Sequence, residues 1–408
     1  MQPLGTGEIV GTLAHVIEST ASPCLDRFHH RDSVTPGFDN TEASNTVRNS
    51  RNARSATLPI LSALIAILAL VLTACGGSDD GDVDLSKDLP TEIPAGTKIV
   101  FADQQNKYQT LLAASGLEKD LPYKLSYANF TGGPAVLEAF RAGTADVAGV
   151  GDVPPIHAQL TDQKVPIILA LQNSLTTYGL ATAPGSNVKT AADLRGKKFA
   201  YAEGTAQQAV VLRALANAGL TVKDVQLVKI KLAEFSDALG AKQVDVAPLN
   251  EPRLTRYLRD FGRDGASTVD TASLGRISEG LSYVYARGES LTDPAKAAAL
   301  RHLEGVLIKA YQWANTHPAE WIDKYYVKNQ NVTADDGWRI LRSTGTIAFP
   351  PLDDALITRQ QATIDVLDKA GQLPKKVRAA DDFDLRFAPV IEEAKKESGA
   401  PSESGVIR

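Results

Sequence analysis

Asp146-Val147-Ala148-Gly149-Val150-Gly151-Asp152-Val153-Pro154-Pro155 reads as one buried strand running into the start of one helix. A short run of small and β-branched apolar residues, bounded by turn residues, suits a strand covered on both faces. The two prolines suit the first turn of a helix, where a missing N–H leaves no bond unmade. Just upstream, Thr131-Gly132-Gly133-Pro134 opens a helix from Ala135 to Arg141 with Val136, Leu137 and Phe140 on one face, and Gly143 stops it. The unit is therefore helix, glycine stop, strand, glycine-bearing turn, helix.

The same unit extends in both directions. Lys98-Ile99-Val100-Phe101 is a predicted strand, Tyr108 to Ser115 a helix ended by Gly116, and Tyr123 to Tyr127 an alternating strand. Val165 to Ala170 is a further strand. The pattern then restarts: Phe199-Ala200-Tyr201-Ala202 is a strand, and Gly204-Thr205 opens a helix closed by Gly219, with Thr205 and Gln208 at capping-box spacing. Phe235 to Gly240 leads to the strand Val244 to Leu249. One phrase recurs: Ala139 to Gly143 leads to Asp146-Val147-Ala148, and Ala238-Leu239-Gly240 leads to Asp245-Val246-Ala247. Strands alternating with helices across short loops predict an α/β fold of two similar lobes, each a mixed, mostly parallel sheet flanked by helices. After about Gly288 the chain reads as helical: 294–315, 318–326, 335–342 and 352–369.

In such sheets ligands sit beyond the carboxyl ends of strands, where helix N-termini offer free N–H donors and partial positive charge. The turns at that position supply the candidate ligand-binding residues. They are Gln104, Gln105 and Asn106; Thr131, Gly132 and Gly133; Gly151, Asp152 and Val153; Gly204 and Thr205; and Asn250 and Glu251. Arg276 and Tyr283, near the expected return to the first lobe, are further candidates. Asp152 and Glu251, facing the cleft, would disfavour a bare anion and favour a ligand that also carries an amine. The lobes would be joined by two crossings, near 174–182 and 280–287, acting as a hinge.

Composition excludes several classes. The net charge is −5 with both signs interspersed, so no basic stripe suits nucleic acid. Only two cysteines occur, Cys24 and Cys75, and His157, His302 and His317 never fall at a metal-ligand spacing, so no metal, cofactor or catalytic residue is expected. Arg48, Arg51 and Arg54, then the apolar run from Leu58 to Ala74, then Cys75-Gly76-Gly77, make a secretory signal. Leu72-Thr73-Ala74-Cys75 looks like a bacterial lipobox, which implies lipidation of Cys75. A single transmembrane anchor is the alternative, but the run lies near the ~17-residue lower limit and lacks a basic stop-transfer flank. Residues 1–46 are polar and turn-rich, and an expected start at Val47 would leave them untranslated.

The stretch from Phe101 to Leu258 resembles the periplasmic binding proteins of ABC importers for aliphatic sulfonates, taurine and nitrate. Gly132-Gly133-Pro134, Gly151 to Ile156, Asp193-Leu194-Arg195-Gly196-Lys197-Lys198, Gly204-Thr205 and Leu212 to Leu220 carry the likeness. The resemblance implies a type II periplasmic-binding-protein fold that closes on a small solute and docks on permease subunits. It also implies a monomer, held by its lipid on the extracytoplasmic face of the membrane. Asn250-Glu251-Pro252 departs from the pattern, lacking the aromatic that often precedes the acid and proline, which removes an apolar wall for the organic part of the ligand. The expected organisation is an extension (1–46), a signal peptide (47–74), a tether (75–96), lobe I (97–180), lobe II (181–282), and a lobe I return with C-terminal helices (283–408). Alternatives are a binding protein for nitrate, or for a vitamin or pyrimidine precursor. A desulfinase-like enzyme is disfavoured because such chemistry depends on cysteine.

Overall fold

The computed structural model describes residues 87–407. The signal segment, Cys75 and most of the tether lie outside the described residues. The first strands and helices follow in the expected order: β1 (Lys98–Asp103), α1 (Lys107–Ser115), β2 (Lys124–Asn129), α2 (Gly133–Arg141), β3 (Val147–Gly151), α3 (Pro154–Leu160) and β4 (Ile167–Gln172). Next come β5 (Tyr178–Thr182), β6 (Lys198–Tyr201), α4 (Ala206–Asn217), β7 (Gln226–Lys229), α5 (Phe235–Gly240), β8 (Val246–Asn250), α6 (Arg253–Phe261) and α7 (Thr271–Leu274). The chain then forms β9 (Leu281–Ala286), α8 (Gly288–Thr292) and α9 (Pro294–Thr316). It ends in α10 (Pro318–Trp321, continued by a π-turn at Ile322–Val327), α11 (Ala334–Thr344), α12 (Asp354–Lys369) and α13 (Ala388–Ser398).

Two sheets form, in the orders β2-β1-β3-β9-β4 and β5-β8-β6-β7. In the first, β1 runs parallel to β2 and β3, while β9 is antiparallel to both β3 and β4. In the second, β6 is parallel to β7 and β8, and β5 is antiparallel to β8. The fold class read from the sequence is the one observed, including its helical C-terminal part.

The recurring Asp-Val-Ala phrase has a physical cause. Asp146 Oδ2 accepts a hydrogen bond from the Val100 N–H at 2.8 Å, and Asp245 Oδ2 accepts one from the Lys198 N–H at 2.8 Å. The backbone returns each bond, Asp146 N to Val100 O and Asp245 N to Lys198 O. The pairing that follows is equivalent, Phe101 opposite Val147 in one sheet and Phe199 opposite Val246 in the other. Each carboxylate therefore locks the same register between the strand it precedes and that strand's parallel neighbour. Asp146 is the more deeply embedded: its Oδ1 also accepts from Ser290 Oγ and pairs with Lys296, each at 2.7 Å.

Two expectations about the crossings are corrected. Residues 280–287 are mostly β9, with Tyr283, Val284, Tyr285 and Ala286 fully buried in the middle of the first sheet. An antiparallel strand needs no crossover helix, so a lone apolar run between turns gave no βαβ signature. Likewise residues 178–182 are strand β5, and the chain passes between the sheets at 173–177 and again at 275–280. The C-terminal helices also divide. α9 and α13 pack with the first core through Leu300, Leu303, Leu307 and Ile391, while α12 places Ile364 and Leu367 in the second core with Phe199 and Val210.

Removing the two register-setting carboxylates should have unequal effects. Asp146→Ala strands a lysine and two other donors and should destabilise by about 3 kcal/mol. Asp245→Ala, on a half-exposed group with one side-chain bond, should cost about 1 kcal/mol. Denaturant midpoints of the two variants check the order.

Candidate functional site

The carboxyl ends of β1, β3 and β8 open onto two adjoining cavities of about 200 and about 180 Å³. They share Gln105, Lys107, Gly151, Tyr178, Asn250 and Ser282 as walls. The smaller cavity is polar. Thr131, Gly132 and Gly133 line it from one sheet's turns, and Thr205, Gln207 and Arg253 from the other's. Backbone approaches there are close. A Cβ on Gly151 would lie 2.5 Å from the Ala206 Cβ at the start of α4, and Gly132 has φ +87°. Gln104 stitches this wall together, donating from Nε2 to Gly149 O and accepting at Oε1 from Gly132 N–H, both at 2.9 Å.

Of the expected site residues, Gln104, Gln105, Thr131, Gly132, Gly133, Gly151, Thr205, Asn250 and Glu251 line these cavities. Six others do not. Asn106 sits before α1 with φ 53° and accepts from the Asn129 side chain, while Asp103 caps the helix by accepting from the N–H groups of Gln104, Tyr108 and Gln109. Val153 is fully buried in the second core. Gly204 turns its N–H to Gln208 Oε1, and a Cβ there would meet His157 and Pro134. Tyr283 points to the opposite face of β9, donating to Gln360 Oε1 and packing edge-on against Phe383. Its neighbour Ser282, opposite Gly151, faces the cavities instead. Thr205 begins α4 but forms no capping box; its hydroxyl donates to Ala202 O. Arg276 lies away from the cleft, paired with Glu279 at 2.6 Å.

Asp152 is the sixth, and the largest correction. Its carboxylate is buried and pairs with Arg213 of α4 at 3.1 Å, while Thr363 of α12 donates to the same oxygen at 3.1 Å. This is a bolt joining the first sheet, the second sheet's helix and α12. Glu251 does reach a cavity wall, but its carboxylate accepts from Thr255 N–H and Oγ1 and faces Arg339 at 3.8 Å. Both acids are thus charge-matched before any ligand arrives, and the expected preference for an amine-bearing ligand loses its basis.

The cations that sequence reading passed over are the opposite case. Lys107, the first residue of α1, lines both cavities, and Arg253, the first residue of α6, lines the polar one. Among the described residues neither has a carboxylate in ion-pair contact. Burial lowers the Lys107 ammonium to about 8, with Asp103 opposing, and the ammonium lies 5.2 Å from the centre of the Tyr311 ring. Burial, then the nearby Arg256, also lowers the Arg253 guanidinium. Both were within reach of the sequence: each stands at or just past a candidate turn, Gln104-Gln105-Asn106 and Asn250-Glu251-Pro252. The larger cavity is walled by Tyr311, Trp321, Tyr325 and Tyr326, from helices far along the chain. They restore the aromatic wall that the sequence lacks before Glu251. No cluster of metal-ligating side chains occurs among the described residues, and no described helix is long and apolar enough to cross a membrane.

Residues 124–321 match the family described as NMT1/THI5 like. The chain is 29% identical over 192 residues to a putative aliphatic sulfonates-binding protein of Escherichia coli (strain K12), covering 43% of this chain and 60% of that protein. It is 24% identical over 320 residues to a protein of the same description from Bacillus subtilis (strain 168), covering 78% of this chain and 92% of that protein. Among solved structures, it superposes on the alkanesulfonate-binding protein SsuA of Xanthomonas axonopodis pv. citri bound to MOPS. The TM-score is 0.63 at 24% identity, over 72% of this chain and 99% of that one. The fold is that of the periplasmic binding proteins.

A desolvated, unpaired lysine is a cost to the empty protein. Its charged form is disfavoured in the fold, so the penalty is present at neutral pH and fades as pH rises from about 8 toward 10.5. Lys107→Met should therefore raise the melting temperature of the ligand-free protein at pH 7, with the gain shrinking above pH 9. Thermal scans at both pH values check this.

Proposed function

We propose that this chain, NMT1/THI5-like over residues 124–321, is the solute-binding component of an ABC importer that captures a small organic sulfonate. The observation that carries the reading is the pair Lys107 and Arg253, two partly desolvated cations on helix starts of different sheets, with no acid in contact and one cleft between them. A sulfonate oxyanion would satisfy both at once. Each charged hydrogen bond contributes about 1.5–3 kcal/mol, so these two with two or three from Thr131 or turn N–H groups reach the ~8 kcal/mol of micromolar binding. Spanning both sheets, the anion would favour the closed arrangement of the two halves. The sulfonate-binding descriptions of the Escherichia coli and Bacillus subtilis relatives support the same ligand class.

The remaining parts of the reading rest on the sequence. Cys75 carries a lipid, the expected tether is shorter than 76–96 because Leu89 and Ile93 already pack with the first core, the monomeric binding unit stands on the extracytoplasmic face of the membrane, and the partners are the transmembrane subunits of an importer. The protein is a carrier and not an enzyme. Desulfinase-like chemistry depends on cysteine, and the only cysteine after the signal is the one at the lipobox, Cys75.

Calorimetric titration with methanesulfonate, taurine, nitrate and a simple amine tests the assignment. Sulfonates should bind, and the amine should not. Affinity should fall as pH rises through about 8, where Lys107 loses its proton, and Lys107→Gln should weaken binding at least tenfold and flatten that pH dependence. Arg253→Gln should weaken it comparably at every pH. Tight binding of the amine with none of the sulfonates would refute the proposal.

A further inference from the structure

The larger cavity has a far wall contributed by a segment remote from both sheets. Ile407 lines it and is only 7% exposed. The segment that delivers Ile407 is clamped to the loop after α11. Gly405 O accepts from Thr346 N–H at 2.8 Å, Gly405 N–H donates to Thr346 Oγ1 at 2.7 Å, and Ser404 Oγ donates to Thr346 O at 2.6 Å. Gly345 permits this approach, because a Cβ there would lie 2.7 Å from Gly405 O. Five bulky side chains thus enclose one space: Tyr311, Trp321, Tyr325, Tyr326 and Ile407. Trp321 and Tyr325 are stacked at 4.7 Å, which holds that wall flat.

Size decides what such a chamber is for. An apolar cavity of about 150 Å³ is enough to hold benzene. A chamber of about 200 Å³, walled by polar groups such as Asn173, Asn250 and Asn315 as well as by the aromatic cluster, has room for a ring against that cluster, whereas a methyl or aminoethyl group would leave the aromatic side unfilled. Unfilled apolar wall forfeits dispersion contacts, and each buried CH₂ of a ligand gains about 0.8 kcal/mol. Resting on the sulfonate reading above, we infer that the ligand's organic part is ring-sized, an aryl or cyclic sulfonate, and that Ile407 sets the limit on its length. The anionic head lies at Lys107 and Arg253, in the polar cavity, and the ring lies against the aromatic wall with its far edge at Ile407.

The test is calorimetric titration of the purified full-length protein with benzenesulfonate and methanesulfonate, which share a head and differ in the group that enters the chamber. Benzenesulfonate should bind at least tenfold tighter. Ile407→Trp, which fills the chamber, should weaken benzenesulfonate at least tenfold and leave methanesulfonate within about twofold. Tyr326→Ala, which removes part of the wall without adding bulk, should weaken benzenesulfonate alone and covers the case in which the tryptophan variant fails to fold. Equal affinity for the two sulfonates, or equal losses for both in either variant, would overturn the inference while leaving the sulfonate assignment standing. Binding of neither sulfonate would overturn both.

Discussion

A carboxylate used twice sets the frame. Asp146 and Asp245 each precede a buried strand and each hold the N–H of a residue in the parallel strand alongside. The consequence is geometric. Because the register of β3 on β1 and of β8 on β6 is fixed at one end, the turns at the other end arrive at defined heights. Gly151 then meets the start of α4, and Asn250 stands across the same cleft. A one-residue slip in either pair would turn the turn-proximal side chains to the opposite face. Cleft geometry therefore depends on two acids about five residues from it in sequence, neither of which lines it.

Charge is sorted with similar economy. Three acids near the cleft are engaged: Asp103 by three backbone N–H groups, Asp152 by Arg213 and Thr363, Glu251 by Thr255 and Arg339. The cations Lys107 and Arg253 are left without such partners while partly withdrawn from water. A protein gains no stability from that arrangement; desolvation without a counter-charge costs free energy. The arrangement makes sense as a site held ready, in which a ligand supplies the missing charge.

Much of this was legible in the residues. Small apolar strands, glycine stops and prolines at helix starts gave the alternation of elements and the location of the ligand-facing turns. Local chemistry makes such signals readable, because cap and turn residues act over three or four positions. The side-chain assignments were less legible, for an equally physical reason. Whether Asp152 faces ligand or Arg213 depends on α4 and α12, which are 61 and 211 residues away. Whether Ser282 or Tyr283 faces the cleft depends on the pairing of β9 with β3, and an isolated strand does not reveal its parity. Lys107 and Arg253 carry no turn signature, because each is the first helical residue beyond a turn and reads as part of its helix. The aromatic wall lay outside any local reading, since it is assembled from helices that follow both sheets.

The bolt between the halves bears on how the site could work. Asp152, Arg213 and Thr363 bring together the end of β3, the middle of α4 and the middle of α12, and Gln360 of α12 also donates to Asp152 O. α12 belongs by sequence to the part of the chain after the return to the first sheet, and it spans both cores, with Leu356 in the first and Ile364 and Leu367 in the second. A buried ion pair of this kind is a weak source of net stability but a strong penalty on separation, because pulling it apart leaves two uncompensated charges. A relative motion of the halves would therefore cost least if it pivoted around this point and not through it. The chain passes between the sheets at 173–177 and 275–280, and these passages are tied to each other by Asn173 N–H donating to Gly280 O and to the end of α11 by Ser174 N–H donating to Thr344 O, both at 2.8 Å. Lys107 and Arg253 lie on helices outside the bolt, so a rotation that keeps Asp152 on Arg213 can still change the distance between the two cations. An anion that binds both would then oppose their mutual repulsion only in the closed state, which gives ligand binding and closure a common cause.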